Sequence, residues 1–287
     1  MAERAPELSA VRREQKGIPR LCARTAQITD VGRRRRNNQD NHLVLPIDSQ
    51  GVPQDGEPGL AEIEKGQLLV AVADGMGGHF RGEVASRMCV ENLAKEFVNQ
   101  LQVSENGEAD LPAALNKAVE AAHRAVFAYA QSCADNLTMG TTLTAVLVHG
   151  TRGELAQVGD SRAYLFRDGK LMILTQDQTI GNQLRIRGED ATNVDSQIQE
   201  MLIQAVGAQA EIEVIMTGVD LEPNDLLLLC CDGLYKVVPP AEIVETLELE
   251  IGLQERATHL ITRANEGGGP DNITVILMEI CQVESPS

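Results

Sequence analysis

No run within the 287 residues approaches the roughly 18 consecutive apolar positions that a helix needs to cross a bilayer. The opening segment, MAERAPELSAVRREQKGIPR, lacks the apolar centre of a secretory signal and reads as a polar, disordered tail over residues 1–20. Positive charge is scarce as well. The 25 Lys and Arg residues face 42 Asp and Glu, for a net charge of −17. That balance excludes general binding to nucleic acid or to an anionic membrane. The expectation is a cytoplasmic protein with no nucleic-acid and no membrane partner. The one basic cluster, Arg33 to Arg36, sits inside this acidic chain and reads as a solvated turn unless its neighbours give it an anion to hold.

Two familiar kinds of site are missing. The six cysteines, Cys22, Cys89, Cys133, Cys230, Cys231 and Cys281, include no C-x-x-C pair, and their spacing suits neither a zinc site nor a disulfide scaffold. Apolar neighbours surround most of them, so buried reduced thiols are expected. Cys230 and Cys231 are adjacent in a strand pattern, which points them to opposite faces and keeps them from chelating one ion. The glycine-rich segment DGMGGHFRG also fails as a nucleotide cradle. A G-x-G-x-x-G pattern from Gly75 would need glycine at position 80, which is Phe80, and no P-loop lysine follows. These glycines instead let backbone approach an ion closely.

What is present is a regular series of apolar segments. LCARTAQITDVG and NHLVLPI read as strands flanking the arginine turn, and residues 48–66 as an exposed loop. QLLVAVAD is a continuous apolar strand, followed by a helix over 83–101 and a second over 111–134. TTLTAVLVH, ELAQVGD, RAYLFRDG and KLMILT read as strands, with Asp168-Gly169 as a hairpin turn. Residues 176–209 lose the strand pattern. EIEVIMTGVDL and DLLLLCCD return to strand, helices follow at 240–249 and 253–265, and NITVILMEI closes as a strand. Helices in pairs between runs of strands point to the α+β class, in a single domain over residues 21–283.

Several aspartates share one position, the end or the beginning of such a strand. Asp74 ends LLVAVA, Asp160 ends LAQVG, and Asp232 ends LLLLCC; Asp40 and Asp271 stand just before strands. A single Asp-Gly is ordinarily a turn. Repetition at the edge of apolar strands is different, because carboxylates there are costly unless protonated or bound to metal. Rigidly held carboxylates suit hard divalent cations.

The blocks RRNNQD, VADGMGGHFRGEVAS, MGTTLTAVLV, VGDSRAYLFRDGKLMILTQDQT, LLLCCDGL and GGPDNITVILM occur in the order seen in metal-dependent serine/threonine phosphatases of the protein phosphatase 2C type. The resemblance covers about residues 20–281 and is closest to the bacterial branch. It implies two packed antiparallel β-sheets flanked by pairs of α-helices, an α/β/β/α sandwich. By the same resemblance, Asp74 bridges two Mg²⁺ or Mn²⁺ ions, the Gly75 carbonyl contributes to one, and Asp232 and Asp271 ligate the other. Asp40 orients the attacking water, and Arg35 matches the phosphate-binding arginine. His79 is either a proton donor to the leaving alkoxide or a loop-packing residue. The remaining histidines, His42, His123, His149 and His259, read as structural or surface groups. Residues 176–209 correspond to a variable flap beside the site. The implied partners are phosphorylated protein substrates, with a serine/threonine kinase by analogy, and the implied state is a monomer.

Three departures from the family pattern stand out. Gln39 replaces a common glutamate, and Gln178 a common histidine, which puts the usual flap contact in question. Lys236 stands where relatives carry an aspartate that holds a third ion with the counterpart of Asp160. The expectation is that Lys236 disfavours that ion, its ammonium lying near Asp160 or pointing to solvent. The rival reading of the whole chain is a catalytically weak module that binds phosphoproteins. The intact set of Asp74, Asp232 and Asp271 speaks against it.

Overall fold

The computed structural model describes residues 21–54, 60–62, 66–77, 81–103, 109–133 and 139–282. Four strands come first: β1 (Leu21–Asp30), β2 (Asp40–Ile47), β3 (Leu60–Glu62) and β4 (Gln67–Met76). Helices α1 (Arg81–Val103) and α2 (Leu111–Ser132) follow, then strands β5 (Gly140–Thr141), β6 (Leu143–His149), β7 (Arg152–Val158), β8 (Arg162–Arg167) and β9 (Lys170–Ile173). Two short helices, α3 (Ile180–Ile186) and α4 (Ser196–Gln199), precede β10 (Ile215–Asp220) and β11 (Leu226–Cys230). The chain closes with α5 (Asp232–Tyr235), α6 (Pro240–Leu247), α7 (Leu253–Glu266) and β12 (Ile273–Gln282).

Two antiparallel sheets result, one ordered β3-β1-β12-β11-β8-β9 and the other β10-β7-β6-β4-β2, with β5 added on β4. Their packing follows from residue parity, since alternate side chains of a strand face opposite ways. In β4, Leu68, Val70 and Val72 enter the core between the sheets, with Leu227, Leu229 and Ile276 of the other sheet. Leu69, Ala71 and Ala73 face outward onto Cys89, Leu93 and Phe97 of α1 and Leu115 and Val119 of α2. The outer face of the first sheet, with Leu226, Leu228 and Val275, packs on Ile243, Leu260 and Ala264 of α6 and α7. Both faces of β4 and β11 are therefore buried, which is why these strands read as unbroken apolar runs. The layers are helix, sheet, sheet, helix, as the sequence implied.

Cys230 and Cys231 enter the outer and the inter-sheet core respectively, each on its own face. Asp168 and Gly169 both take positive φ in the β8–β9 hairpin, as the turn requires. Two expectations change. Residues 48–66 include β3, which pairs with Cys22–Arg24 of β1. Not every cysteine is a reduced thiol either. Cys22 and Cys281 are register partners on β1 and β12, Cα atoms 5.1 Å apart, and form a disulfide. Their separation of 259 residues hides that pairing from any local pattern. The expected N-terminal tail lies outside the described residues. No helix among the described residues is long and apolar enough to cross a membrane.

Candidate active site

The site forms where the two sheets end side by side. Asp40 and Asp74 are cross-strand partners on β2 and β4. On the other sheet, Asp232 follows β11 and Asp271 precedes β12. Asp160, just past β7, completes the group. All four other carboxylates act electrostatically on Asp74. A cleft of about 380 Å³ opens among them, lined by Arg35, Asp74, Gly75, Asp160, Asp232, Lys236 and Asp271.

Asp74 is fixed through its backbone. Its N–H donates to Thr142 Oγ1 (2.9 Å), while its carbonyl accepts from Thr142 N and Thr141 Oγ1, both at 2.9 Å. Gly75 donates to the Gln39 carbonyl at 3.1 Å, and a Cβ at Gly75 would run into the carbonyls of Gly82 and Gln39. Only glycine permits this crossing of β4 with the start of α1. Gly233 is similarly confined by the Asn272 carbonyl, which locks α5 against the start of β12.

Asp40 lies behind these groups, 5% exposed. Thr274 Oγ1 donates to its Oδ2 at 2.6 Å, and its Oδ1 has no hydrogen-bond partner. Burial pushes its carboxyl up to about 6, with the charges of Asp232 and Asp271 adding to the shift and the Thr274 bond opposing it. Burial also raises Asp160 to about 6; Asp232 adds to this, and Lys236 and the Tyr235 hydroxyl partly offset it. Asp74 is raised well above the carboxylate range, first by burial and then by Asp40 and the other acids. Two cations reach into the group: Arg35 Nη2 lies 2.6 Å from Asp271 Oδ2, and Lys236 Nζ lies 2.9 Å from Asp232 Oδ2. They leave Asp232 Oδ1, like Asp40 Oδ1, buried without a partner.

Carboxylate oxygens this crowded require protons or cations. An oxygen donor set with unpartnered buried oxygens fits a hard divalent ion such as Mg²⁺ or Mn²⁺. The Cys231 sulfur comes within 4.8 Å of oxygens of Asp40 and Asp74. Burial holds this thiol well above its ordinary range, so it stays protonated rather than a thiolate; its Sγ donates to the Asn272 carbonyl at 3.3 Å and accepts from Thr274 N at 3.0 Å.

Arg35, Asp40, Asp74, Gly75, Asp160, Asp232 and Asp271 are thus brought together; His79 lies outside the described residues. Lys236 does stand near Asp160, close enough to act on its charge, and does not point to solvent; its direct bonds go to Asp232 and, at 3.2 Å, to Glu200 Oε2. Gln178 does make a flap contact. Its Oε1 accepts from Gly159 N (2.6 Å) and its Nε2 donates to the Glu213 carbonyl (3.0 Å). His123 is structural, its ring nitrogens engaging Gly207 N and the Ala210 carbonyl.

Three positioning groups escaped the sequence reading. Asn272 accepts from Gln39 N at 2.8 Å and donates to the carbonyls of Val31 and Asn37, both at 3.0 Å, clamping the arginine turn. Thr274 holds Asp40. Tyr235 donates to Asp160 Oδ2 at 3.3 Å beneath Arg162, whose guanidinium lies 3.7 Å over its ring. For Asn272 the available signal was a polar residue between Asp271 and an apolar strand, a place where side chains commonly bond loop backbone.

Comparison with known proteins bears on the same region. The family model described as "Protein phosphatase 2C" matches residues 49–266. The "Serine/threonine phosphatase stp" of Listeria innocua is 37% identical over 258 residues, covering 88% of this chain and 93% of that one. The "Serine/threonine protein phosphatase PstP" of Mycobacterium tuberculosis is 38% identical over 264 residues, 91% of this chain and 45% of the relative. Among solved structures, the S. agalactiae serine/threonine phosphatase superposes with a TM-score of 0.75 at 31% identity, covering 90% of this chain and 99% of that one. The catalytic domain of PstP in complex with two manganese ions gives 0.71 at 36% identity, covering 91% and 99%.

Proposed function

The chain belongs to the protein phosphatase 2C family, and on that premise we propose how its own residues carry out the metal-dependent hydrolysis of phosphoserine and phosphothreonine in proteins. The observation that carries the reading is the convergence of five carboxylates at one end of the paired sheets, with two buried oxygens unpartnered. Asp74, Asp232, Asp271 and the Gly75 carbonyl would hold two ions, Mn²⁺ or Mg²⁺, the number found with the PstP catalytic domain. When bound, such a pair supplies Lewis acidity that lowers the pKa of a water and neutralises phosphoryl oxygens.

The chain's own groups do the rest. Asp40, with Oδ2 held by Thr274, presents Oδ1 to orient the attacking water. Arg35 offers a planar guanidinium to the phosphoryl oxygens; its bond to Asp271 keeps it over the cleft until substrate arrives. Asp160 stands on the Lys236 side of the cluster, where the lysine disfavours a third ion. His79 is a candidate to protonate the leaving alkoxide. The catalytic domain spans residues 21–283, with 176–209 as a flap. The chain acts as a cytoplasmic monomer, on targets phosphorylated by a serine/threonine kinase.

The alternative, a phosphoprotein-binding module without activity, would require a lost ligand, and none of Asp74, Asp232 and Asp271 is replaced. The test is hydrolysis of an aryl phosphate with Mn²⁺, with chelator, and by Asp232→Asn. Activity is expected only in the native chain with metal. Activity surviving both chelator and substitution would overturn the assignment.

A further inference from the structure

Three arginines beside Arg35 have no part in the chemistry above. The turn between β1 and β2 is pinned to the loop that carries Asp271: Arg33 N and Arg34 N both donate to the Gly269 carbonyl, at 2.8 and 3.2 Å. Asn272 holds the two ends of the same turn through Val31 and Asn37. Of the four consecutive arginines, Arg35 lines the cleft and pairs with Asp271. Arg33, Arg34 and Arg36 are exposed, and among the described residues none of them forms an ion pair.

Several arginines elsewhere in this acidic chain are neutralised within the fold. With 42 acidic residues available, Arg152, Arg162, Arg167 and Arg263 each pair with a carboxylate. Three uncompensated guanidinium groups held on a pinned turn repel one another, so they gain most from an outside anion. They also lie within two residues of Arg35, the arginine that lines the cleft, on a turn bonded to the loop that carries Asp271. Elsewhere the net negative chain repels an acidic ligand, so a local basic rim focuses such a ligand onto the cleft mouth.

We propose that Arg33, Arg34 and Arg36 form a docking rim for the acidic flank of a phosphoprotein substrate. An extended peptide advances about 3.3 Å per residue, so Asp or Glu side chains a few places from the phosphoresidue would reach neighbouring arginines of the turn. The substrate class is a phosphoserine or phosphothreonine segment with carboxylates close by. This proposal rests on the phosphatase reading and adds a sequence preference to it.

The experiment compares two phosphopeptides, one flanked by alanines and one by glutamates, on the native chain and on Arg33→Gln/Arg34→Gln/Arg36→Gln with Mn²⁺. The native chain should favour the acidic peptide roughly ten-fold in kcat/KM, expressed in KM and shrinking as salt rises. The triple variant should lose that preference while hydrolysing an aryl phosphate at the native rate. If the triple variant does not fold, Arg36→Gln alone should lose part of the preference. A native chain indifferent to the acidic flank, or variants that retain the preference, would overturn the proposal. Failure of the native chain to hydrolyse even the aryl phosphate would overturn the phosphatase reading, and this proposal with it.

Discussion

Lys236 and Asp232 are joined by an ion pair of 2.9 Å across one turn of chain, and the same ammonium reaches Glu200 in the 176–209 segment. Burial disfavours the charged lysine, but attraction to Asp232 outweighs it and holds the ammonium above its ordinary pKa. A fixed cation therefore stands on the side of the cluster where Asp160 lies. Lys236→Asp replaces it with a carboxylate facing Asp160 and Asp232. Calorimetric titration with Mn²⁺ should then count one more ion in the variant than in the native chain. An unchanged count would show that the lysine does not govern occupancy there.

Gln178 makes a different kind of link. It is 6% exposed and joins the loop before Asp160 to the strand entry at Glu213. Gln178→Ala leaves the buried Gly159 N–H without its side-chain acceptor, a loss of roughly 1–3 kcal/mol. Chemical denaturation should register that loss, and hydrogen exchange at Gly159 should quicken. A variant as stable as the native chain, with unchanged exchange, would count against this role.

How far the sequence could be read depended on the range of the interaction. Strands such as Leu68–Val72 were plain because both faces are buried, and the aspartates at their ends could be grouped because they recur in one position. The pairing of Lys236 with Asp232 was missed for a local reason. Residues after Cys230 read as a strand end, whereas the chain turns into α5 at Asp232. Once that turn is helical, residues four apart face each other, and the pair of Asp232 and Lys236 follows. The disulfide between Cys22 and Cys281, the β3 pairing and the clamp made by Asn272 all join distant segments. No periodicity encodes them.

The confinement of Gly75 gives a steric prediction. A methyl group there meets backbone carbonyls of Gly82 and Gln39, which cannot swing aside as a flexible side chain would. Gly75→Ala must shift the start of α1 away from β4, at a cost of roughly 1–3 kcal/mol. Because the neighbouring Asp74 moves with it, Mn²⁺-dependent hydrolysis should fall more than 100-fold, a factor equivalent to roughly 3 kcal/mol in the barrier. Near-native activity and melting temperature in this variant would show that the contact is slack.

The buried acids predict an unusual pH dependence for the metal-free protein. Asp40 and Asp160 are raised to about 6 in the folded chain from an ordinary value of 3.8. Between those values the folded state binds more protons than the unfolded one, so stability falls as pH rises from about 4 to about 6. Other carboxylates act in the opposite sense, and Asp40→Asn isolates the effect. Asn keeps an acceptor for the Thr274 hydroxyl while removing the buried charge. In chelator at pH 7 the variant should melt above the native chain, by an amount equivalent to at most about 3 kcal/mol. The gap should close by about pH 3, below both values, where the carboxyl of the native chain is mostly protonated folded and unfolded alike. Adding Mn²⁺ at pH 7 should narrow it from the other side, because a divalent cation satisfies the charge that the variant lacks. A variant less stable than the native chain at pH 7 in chelator would mean that Asp40 is not strained by its burial.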